Sequence, residues 1–424
     1  MAASSLAEHF FRHEYGRLVA LLSHRVGLQH LDAVEDAVQA ALLMALEAWR
    51  ASAVPANPSG WLYRVAWHRL VDELRRADRH ASLARQHAGD GAEASADPPG
   101  IALTADVRDD LLRMLFACCD NAIPLESQLV FALKTLCGFD VREIAQRLFA
   151  TEAGVYKRLS RARARLLAAE PATTELDPEA ICSRLPAVQA VLYLMFTEGH
   201  LSSHASAALR RDLCDEAKRL TRELAEHPLG GTPETHALLA LMHLHAARMA
   251  AREDGAGELL LLDEQDRSRW DRDEIAAGLE WLARSARGAT FSRWHAEAGI
   301  AAEHCLAPSF TQTRWDRIVA CYELLERTAP PSAMHTLGKA LAVAEHRGPQ
   351  EGLALLRGFS PPAGLAASYL CSAVWADLHR RCGHVETAAR HRADAMAAAP
   401  SDAVRAALAR RLGRTPDRRS TLGE

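Results

Sequence analysis

Helical periodicity constrains this chain more than any other feature of its sequence. Over most of its 424 residues, apolar side chains recur at the three- and four-residue spacing of an amphipathic helix. No segment alternates convincingly between apolar and polar residues, as a half-buried strand does. The pattern therefore predicts an all-α protein, and the length predicts several helical domains, each with its own core.

Segments rich in proline, glycine and small polar residues divide this helical pattern. "RQHAGDGAEASADPPG" (85–100) has almost no large apolar residues, which is typical of a flexible linker. "AAEPATTELDP" (168–178) is a second break. We therefore predict two small helical domains at 1–80 and 105–168, a linker at 81–104, and a long α-helical extension at 175–424.

The end of the extension indicates a helical repeat. In "WADLHRRCGHVETAARHRADAMAAAP", small residues recur at spacings that let two antiparallel helices pack closely, and a proline closes the pair. This is the pattern of tetratricopeptide-type repeats. The residues concerned are Ala376, Gly383, Ala388, Ala395 and Pro400.

The segment 138–166, "GFDVREIAQRLFATEAGVYKRLSRARARL", predicts a helix-turn-helix. A first helix over 141–148 is followed by a short corner and by Thr151, a good N-cap for a second helix. Val155 and Ala162 lie on the apolar stripe of that second helix. Many such motifs carry glycine at the turn, where this chain has Phe149.

The opposite face of the second helix is cationic and fits the major groove of DNA. A solvated basic face on an ordinary helical hairpin is the alternative interpretation. The candidate DNA-binding residues on this face are Tyr156, Lys157, Ser160 and Arg161.

The first domain contains two amphipathic helices that carry candidate interfaces. In "LDAVEDAVQAALLMALEAWR" (31–50), one face presents Glu35, Asp36, Gln39 and Leu43, which would suit a docked partner or carry no role. In "PSGWLYRVAWHRLVDELRR" (58–76), aromatic residues alternate with arginines, as a surface for unpaired DNA bases requires. Tryptophans of a hydrophobic core fit this second pattern equally well.

Together, these segments resemble an extracytoplasmic-function sigma factor of bacterial RNA polymerase. The motifs that carry the resemblance are "EDAVQAALLMALEAW", "NPSGWLYRVAWHRLVDELRR" and the helix-turn-helix, in that order over about residues 8–168. The resemblance implies binding to core RNA polymerase and promoter DNA, with no catalysis, cofactor or metal of its own. By position, Asp36, Gln39 and Leu43 would bind polymerase, the recognition helix would read the upstream element, and the melting-helix residues would be Trp61, Arg64, His68, Arg75 and Arg76.

The extension resembles that of the sigma factor subgroup with a long helical C-terminal domain, through "RLPAVQAVLYLMFTEGH", "LLLLDEQDRSRWDRDEIAAGLEWL" and the segment 313–348. We expect it to control the sigma domains in cis through an intramolecular contact, or to bind a partner. A stand-alone helix-turn-helix regulator with a repeat-type sensor domain is the alternative; it would not need the two helices of residues 30–80.

Several other classes of function are disfavoured by the sequence. His200 and His204 have the spacing of metal ligands on a helix, but no third ligand is evident. Glu198, His243 and His245 lack an accompanying nucleophile motif or phosphate-binding glycine loop. The nine cysteines are scattered, and no continuous apolar stretch of about 18 residues is evident. We therefore expect a cytoplasmic protein with no membrane segment and with reduced cysteines.

Overall fold

The computed structural model describes residues 2–51, 54–85, 106–168, 177–202, 209–255, 257–288, 291–328 and 330–413. Within these ranges the regular secondary structure is helical, as predicted, and the only extended pairing is an isolated bridge between Glu253 and Leu259. The α-helices of the first half are α1 (Ala2–Val26), α2 (Leu31–Ala51), α3 (Pro58–Arg85), α4 (Asp106–Cys118), α5 (Leu125–Thr135), α6 (Val141–Arg147), α7 (Glu152–Ala168), α8 (Pro178–His200), α9 (Arg211–Glu226) and α10 (Pro233–Ala246). Those of the second half are α11 (Arg272–Ser285), α12 (Arg293–Leu306), α13 (Trp315–Thr328), α14 (Ala333–Arg347), α15 (Pro349–Leu355), α16 (Ala363–Ala366), α17 (Tyr369–Arg381), α18 (Val385–Ala397) and α19 (Asp402–Gly413).

The chain forms two compact units whose boundary differs from the linkers read in the sequence. One unit comprises described residues up to Ile144 together with Ala153–Val191. The other comprises Ala145–Glu152 together with described residues from Leu192 onward. Most of the predicted linker at 81–104 lies outside the described residues, although α3 runs on to Arg85. The predicted break at 168–178 also lies largely outside them.

The first unit has a core built from the apolar stripes of α1 to α8. Val34, Val38 and Ala41 of α2 are buried, as are Leu62 and Leu70 of α3, so each helix turns one apolar face to this core. Helix α1 also packs closely on the end of α5. A Cβ added at Gly16 would lie only 1.8 Å from the Leu136 carbonyl oxygen, so this approach requires glycine.

The second unit is a succession of helical pairs. The tetratricopeptide-like pair is α17 and α18, and its predicted small residues Ala376, Ala388 and Ala395 are buried. Gly383 forms the turn between the two helices with a φ of 79°, a conformation that favours glycine. The buried carboxylate of Asp377 accepts a hydrogen bond from Arg380 and another from Arg411, which lies on α19.

Helix α8 is long and apolar enough, by length and composition alone, to cross a membrane. Of its most apolar window, 44% is buried inside the protein. Core helices of globular proteins pass the same test, so this is weak evidence for a membrane span.

Candidate nucleic-acid interface

The exposed face of α2 carries the three predicted polymerase-binding residues. Asp36, Gln39 and Leu43 are all exposed, and 62% of the Leu43 surface is accessible. Met44 and Leu46 are also partly exposed beside it. An apolar patch on a helix surrounded by polar residues is typical of a protein-binding surface.

Glu35 does not lie on this exposed face, where the sequence pattern placed it. It is only 7% exposed and accepts a hydrogen bond from Arg163 of α7. Arg163 also donates to Asp32 at 2.8 Å. Burial raises the pKa of Glu35, although the charge of Arg163 opposes this effect. Helical periodicity could not show this pairing, because the partner lies more than one hundred residues away in the sequence.

The polar face of α3 presents most of the predicted melting residues. Arg64, His68, Arg75 and Arg76 are exposed. A groove beside them is lined by residues of α2 and α3, namely Asp36, Ala37, Ala40, Arg69, Asp72, Glu73 and Arg76. Arg76, predicted to bind DNA, therefore shares a groove with Asp36, predicted to bind polymerase. Arg69 is a further exposed cation of this groove that the sequence reading did not select.

Trp61 lies in an aromatic cluster instead of standing free on the helix surface. Its ring centroid is 5.7 Å from that of Trp49, which stacks on Phe11 at 5.6 Å. Trp61 is half-buried, so one side of its ring supports the packing of α1, α2 and α3. Trp67, a second aromatic residue of α3, stacks on Tyr63 with Arg25 over both rings.

The first helix of the helix-turn-helix is fixed by a reciprocal cap. The Asp140 backbone N–H donates to Glu143 at 2.8 Å, and the Glu143 N–H donates to Asp140 Oδ1 at 2.7 Å. This is the geometry of a capping box with Asp at the N-cap. Arg12 of α1 donates to both carboxylate oxygens of Glu143 at 3.0 Å, which ties the start of α6 to the first domain.

Helix α7 presents the four predicted DNA-contacting residues on one exposed face. Tyr156, Lys157, Ser160 and Arg161 are all exposed, and Tyr156 is 60% accessible. Val155 and Ala162 are fully buried on the other side, as the predicted core stripe requires. Two further basic residues of the helix are committed to ion pairs within the protein: Arg158 with Glu126 and Arg163 with the acids of α2.

The corner of the helix-turn-helix makes contacts within the second compact unit. Arg147 Nε donates to Glu198 Oε2 at 3.0 Å, and Arg147 Nη2 donates to the Leu201 carbonyl at 2.8 Å. Glu198 has no solvent-accessible surface and also accepts a hydrogen bond from Ser202 at 2.9 Å. Phe149 packs against the core formed around Leu337 and Leu365.

The side chains that suggested metal or acid–base chemistry have other partners. His200 is buried against Arg252 and His245. His204 lies outside the described residues. His243 contacts Glu274 at 2.6 Å and Arg222 at 3.2 Å. Among the described residues, no group of three His, Cys, Asp or Glu side chains could hold a metal ion.

Comparison with known proteins identifies three segments of the chain. Residues 10–80 match the family "Sigma-70 region 2", and residues 113–166 match "Sigma-70, region 4". Residues 184–286 match a family of unknown function, DUF6596. "Uncharacterized protein R00370" of Rhizobium meliloti (strain 1021) is 35% identical over 329 residues, which cover 77% of each chain. No solved structure matches the chain significantly.

Proposed function

This chain belongs to the sigma-70 family of RNA polymerase sigma factors, in the group with a long C-terminal extension, and we propose how its surfaces divide that work. A sigma factor binds core RNA polymerase and directs it to promoters, where transcription begins. The stand-alone regulator is not favoured, because such a protein does not need the region 2 that residues 10–80 match. Sigma factors are in general not enzymes, and we propose no catalytic activity for this one.

Region 2 carries the proposed polymerase and melting surfaces. Asp36, Gln39 and Leu43 would dock on core polymerase, because a largely exposed leucine between polar residues gains free energy only when a partner covers it. Arg64, His68, Arg75 and Arg76 would follow the DNA backbone, and Trp61 would receive an unstacked base on the side of its ring that faces away from Trp49.

Region 4 carries the proposed reader of the upstream promoter element. The observation that supports this proposal best is the common exposure of Tyr156, Lys157, Ser160 and Arg161 on α7, with Val155 and Ala162 buried behind them. Arginine suits both guanine edges and phosphates, whereas lysine acts as a point charge on phosphate. Arg158 and Arg163 are excluded from this set because acids of the protein already bind them.

We further propose that the extension controls region 4 in cis through the corner of the helix-turn-helix. Arg147 supplies the counter-charge for Glu198, a carboxylate buried at the end of α8. A buried carboxylate that loses its cation is costly, so this pair would favour the docked corner.

Phe149 supports the same proposal through its backbone. Among the described residues, it is the non-glycine residue with a positive φ, at 50°. A bulky side chain is disfavoured in this left-handed region, where glycine would be free of strain. The Phe149 ring packs in an apolar cluster of the extension, and its carbonyl oxygen would lie 2.0 Å from a Cβ added at Gly364. The burial of the ring offsets the backbone strain, which explains phenylalanine at this position.

Run-off transcription with core RNA polymerase and the promoter region of its own operon tests these proposals. The full-length chain, residues 1–170, Arg147→Ala and Phe149→Gly should be compared at equal concentrations. We expect transcripts to depend on the added protein, and we expect the three altered proteins to shift in the same direction from the full-length chain. Phe149→Gly is the most informative variant, since it relieves the backbone strain at this position and removes only the ring that packs on the extension.

Arg142→Ala is the matched control, because Arg142 is exposed on the same helix and forms no ion pair or hydrogen bond with another described residue. Full activity of Phe149→Gly and Arg147→Ala, with an altered activity of residues 1–170, would show that the extension acts elsewhere. Unchanged activity of all three would refute control in cis. No polymerase binding by any protein would refute the proposed docking face on α2. We expect this function to be exercised on polymerase in the cytoplasm.

A further inference from the structure

A cluster of cationic and imidazole side chains lies in the second unit, where helices α8, α10 and α12 end. It is defined here as the arginine cluster, and its members come from the ends of these helices and the segment after α10. His200 and His245 contact each other with ring centroids 4.8 Å apart. The charge of Arg248 acts on His200, His245, Arg252 and His304, which places it in the same group. The members of the arginine cluster are Arg248, Arg252, Arg267, His200, His245 and His304.

Arg252 is the most buried cation of the cluster, with 6% of its surface exposed. Its Nη1 atom lies 2.7 Å from Nδ1 and 2.9 Å from Nε2 of His200, and its Nε has no hydrogen-bond acceptor among the described residues. The ring of His200 provides no negative charge. Burial, and then the charges of Arg252 and Arg248, hold the pKa of His200 well below its usual range. Arg252 therefore contacts a neutral group.

Arg267 and its neighbours add further donors without acceptors. Arg267 donates through Nη1 to the carbonyls of His304 and Ala307 at the end of α12, while its Nη2 has no partner in the part of the chain that the structure describes. It also lies over the ring of Trp270, 4.7 Å from the centroid. Trp270 is 3% exposed. Within the described ranges, neither its indole N–H nor Nδ1 of His304 has a hydrogen-bond partner.

The positive charges of the cluster act on one another without a paired acid. Burial, followed by the charge of Arg248, lowers the pKa of Arg252, and the neighbouring Glu253 counteracts this only weakly. Burial lowers the pKa of Arg248 itself to about 10. Within the described part of the chain, no carboxylate forms an ion pair or hydrogen bond with Arg248, Arg252 or Arg267. Elsewhere in this protein buried charges are paired, as Glu198 and Asp377 are.

Helix C-termini compensate only part of this charge. Each carries about half a negative charge, spread over its last carbonyl groups. Arg267 donates to such carbonyls at the end of α12, whereas Arg252 donates to no carbonyl of the described residues. Burying a guanidinium without a charged partner is normally unfavourable, and unsatisfied buried donors add to the cost. The described residues therefore provide the arginine cluster with no carboxylate as a counter-charge.

We propose that the arginine cluster is the binding site of a small phosphate-bearing molecule, which would serve as an input to the extension. The planar guanidinium group of arginine can donate two parallel hydrogen bonds to phosphate oxygens. A phosphate dianion carries two negative charges, so it offsets more of the positive charge of the arginine cluster than a single carboxylate would. The indole N–H of Trp270 and the ring of His304 supply neutral donors for further oxygens. This site uses none of the residues proposed for DNA reading or polymerase docking and does not depend on their assignment.

Isothermal titration of the full-length chain with inorganic pyrophosphate, in chloride buffer of constant ionic strength, tests the proposal. Inorganic phosphate and citrate serve as comparison probes. We expect pyrophosphate to bind and to raise the unfolding temperature by at least about 2 °C at saturating concentration. Arg248→Gln should raise the dissociation constant at least about tenfold, since a charge-assisted hydrogen bond is lost. Arg287→Gln, at an exposed arginine of the same unit, is the matched control and should leave binding unchanged.

Three results would overturn the proposal. One is the absence of both heat and thermal shift with pyrophosphate and phosphate at about 10 mM. Another is binding that survives in Arg248→Gln but is lost in Arg161→Gln, which would place the anion on the DNA-reading face. Tighter binding of citrate than of pyrophosphate would show that the ligand is a carboxylate.

A further test of the proposal does not require a ligand. Arg252→Met retains the length of the side chain but removes its charge. In phosphate-free buffer, it should leave the unfolding temperature unchanged or raise it, because an uncompensated buried cation destabilises the protein. A fall of several degrees would show that the protein itself already compensates the charge, and this result would also overturn the proposal.

Discussion

Arg147→Ala should destabilise the second unit far more than an ordinary surface substitution. Glu198 is fully buried, and truncation of Arg147 removes its cationic partner. Breaking a buried ion pair in this way typically costs about 3–5 kcal/mol. Two features reduce the expected cost to about 2–4 kcal/mol: the Arg147 side chain is 20% exposed, and Ser202 still donates to Glu198.

Calorimetric unfolding of the full-length chain measures this effect. At the size of the second unit, the expected loss corresponds to a fall of roughly 4–16 °C in the midpoint of its transition. Glu198→Gln should lower the free energy of unfolding by less, since the Arg147 charge that it leaves without a carboxylate is partly exposed to water. The double variant Arg147→Ala with Glu198→Gln should lose less free energy of unfolding than the two single losses added together, by at least about 1.5 kcal/mol. A loss in Arg147→Ala no larger than in Arg142→Ala, or a coupling below about 0.5 kcal/mol, would refute the argument.

The remaining predictions concern DNA binding, promoter opening and acid stability. Arg161→Ala should weaken binding to duplex promoter DNA and lower the slope of log affinity against log salt by about 1, measured by fluorescence anisotropy; an unchanged slope would mean that another face of α7 meets the DNA. Trp61→Ala should reduce promoter opening, followed by permanganate reactivity, more than initial duplex binding, whereas Trp61→Phe should retain the packing on Trp49; equal losses in both assays would indicate a purely structural ring. Burial alone would raise the pKa of Glu274, but hydrogen bonds from His243 and Lys218 lower it to about 2. Its carboxylate should therefore stabilise the fold by roughly 1–2 kcal/mol above about pH 4.5, after allowance for solvent screening, and this contribution should be lost as the pH falls towards 2. Acid unfolding followed by circular dichroism measures it. A Glu274→Gln variant as sensitive to acid as the unaltered chain would contradict this.

Elements with a strong local signal could be predicted from the sequence. The phase of α7 follows from the spacing of Val155 and Ala162, so the exposure of Tyr156 and Arg161 could be predicted. The all-helical class followed from the same periodicity. Glu35 was misplaced because its burial depends on Arg163, and local spacing contains no information about a partner so distant in the chain.

The role of Phe149 was only half visible in the sequence. Its presence at a turn where glycine is common was a recognisable departure, but the apolar cluster that receives its ring is formed by residues about two hundred positions further on. The arginine cluster was not predicted either. The sequence draws attention to His200 only through its spacing to His204. Arg248, Arg252 and Arg267 share no helical periodicity that would indicate that they lie close together.

The assignment of Ala145–Glu152 to the same compact unit as the extension bears on how such proteins could be recombined. A hybrid gene joined in the break at 168–178 would combine the extension of one sigma factor with the corner of another. Residues equivalent to Arg147 and Phe149 would then face a foreign surface, and the buried Glu198 could lose its cation. Functional chimaeras should require the corner and the extension to be inherited together, although the whole of α7 separates them in the sequence.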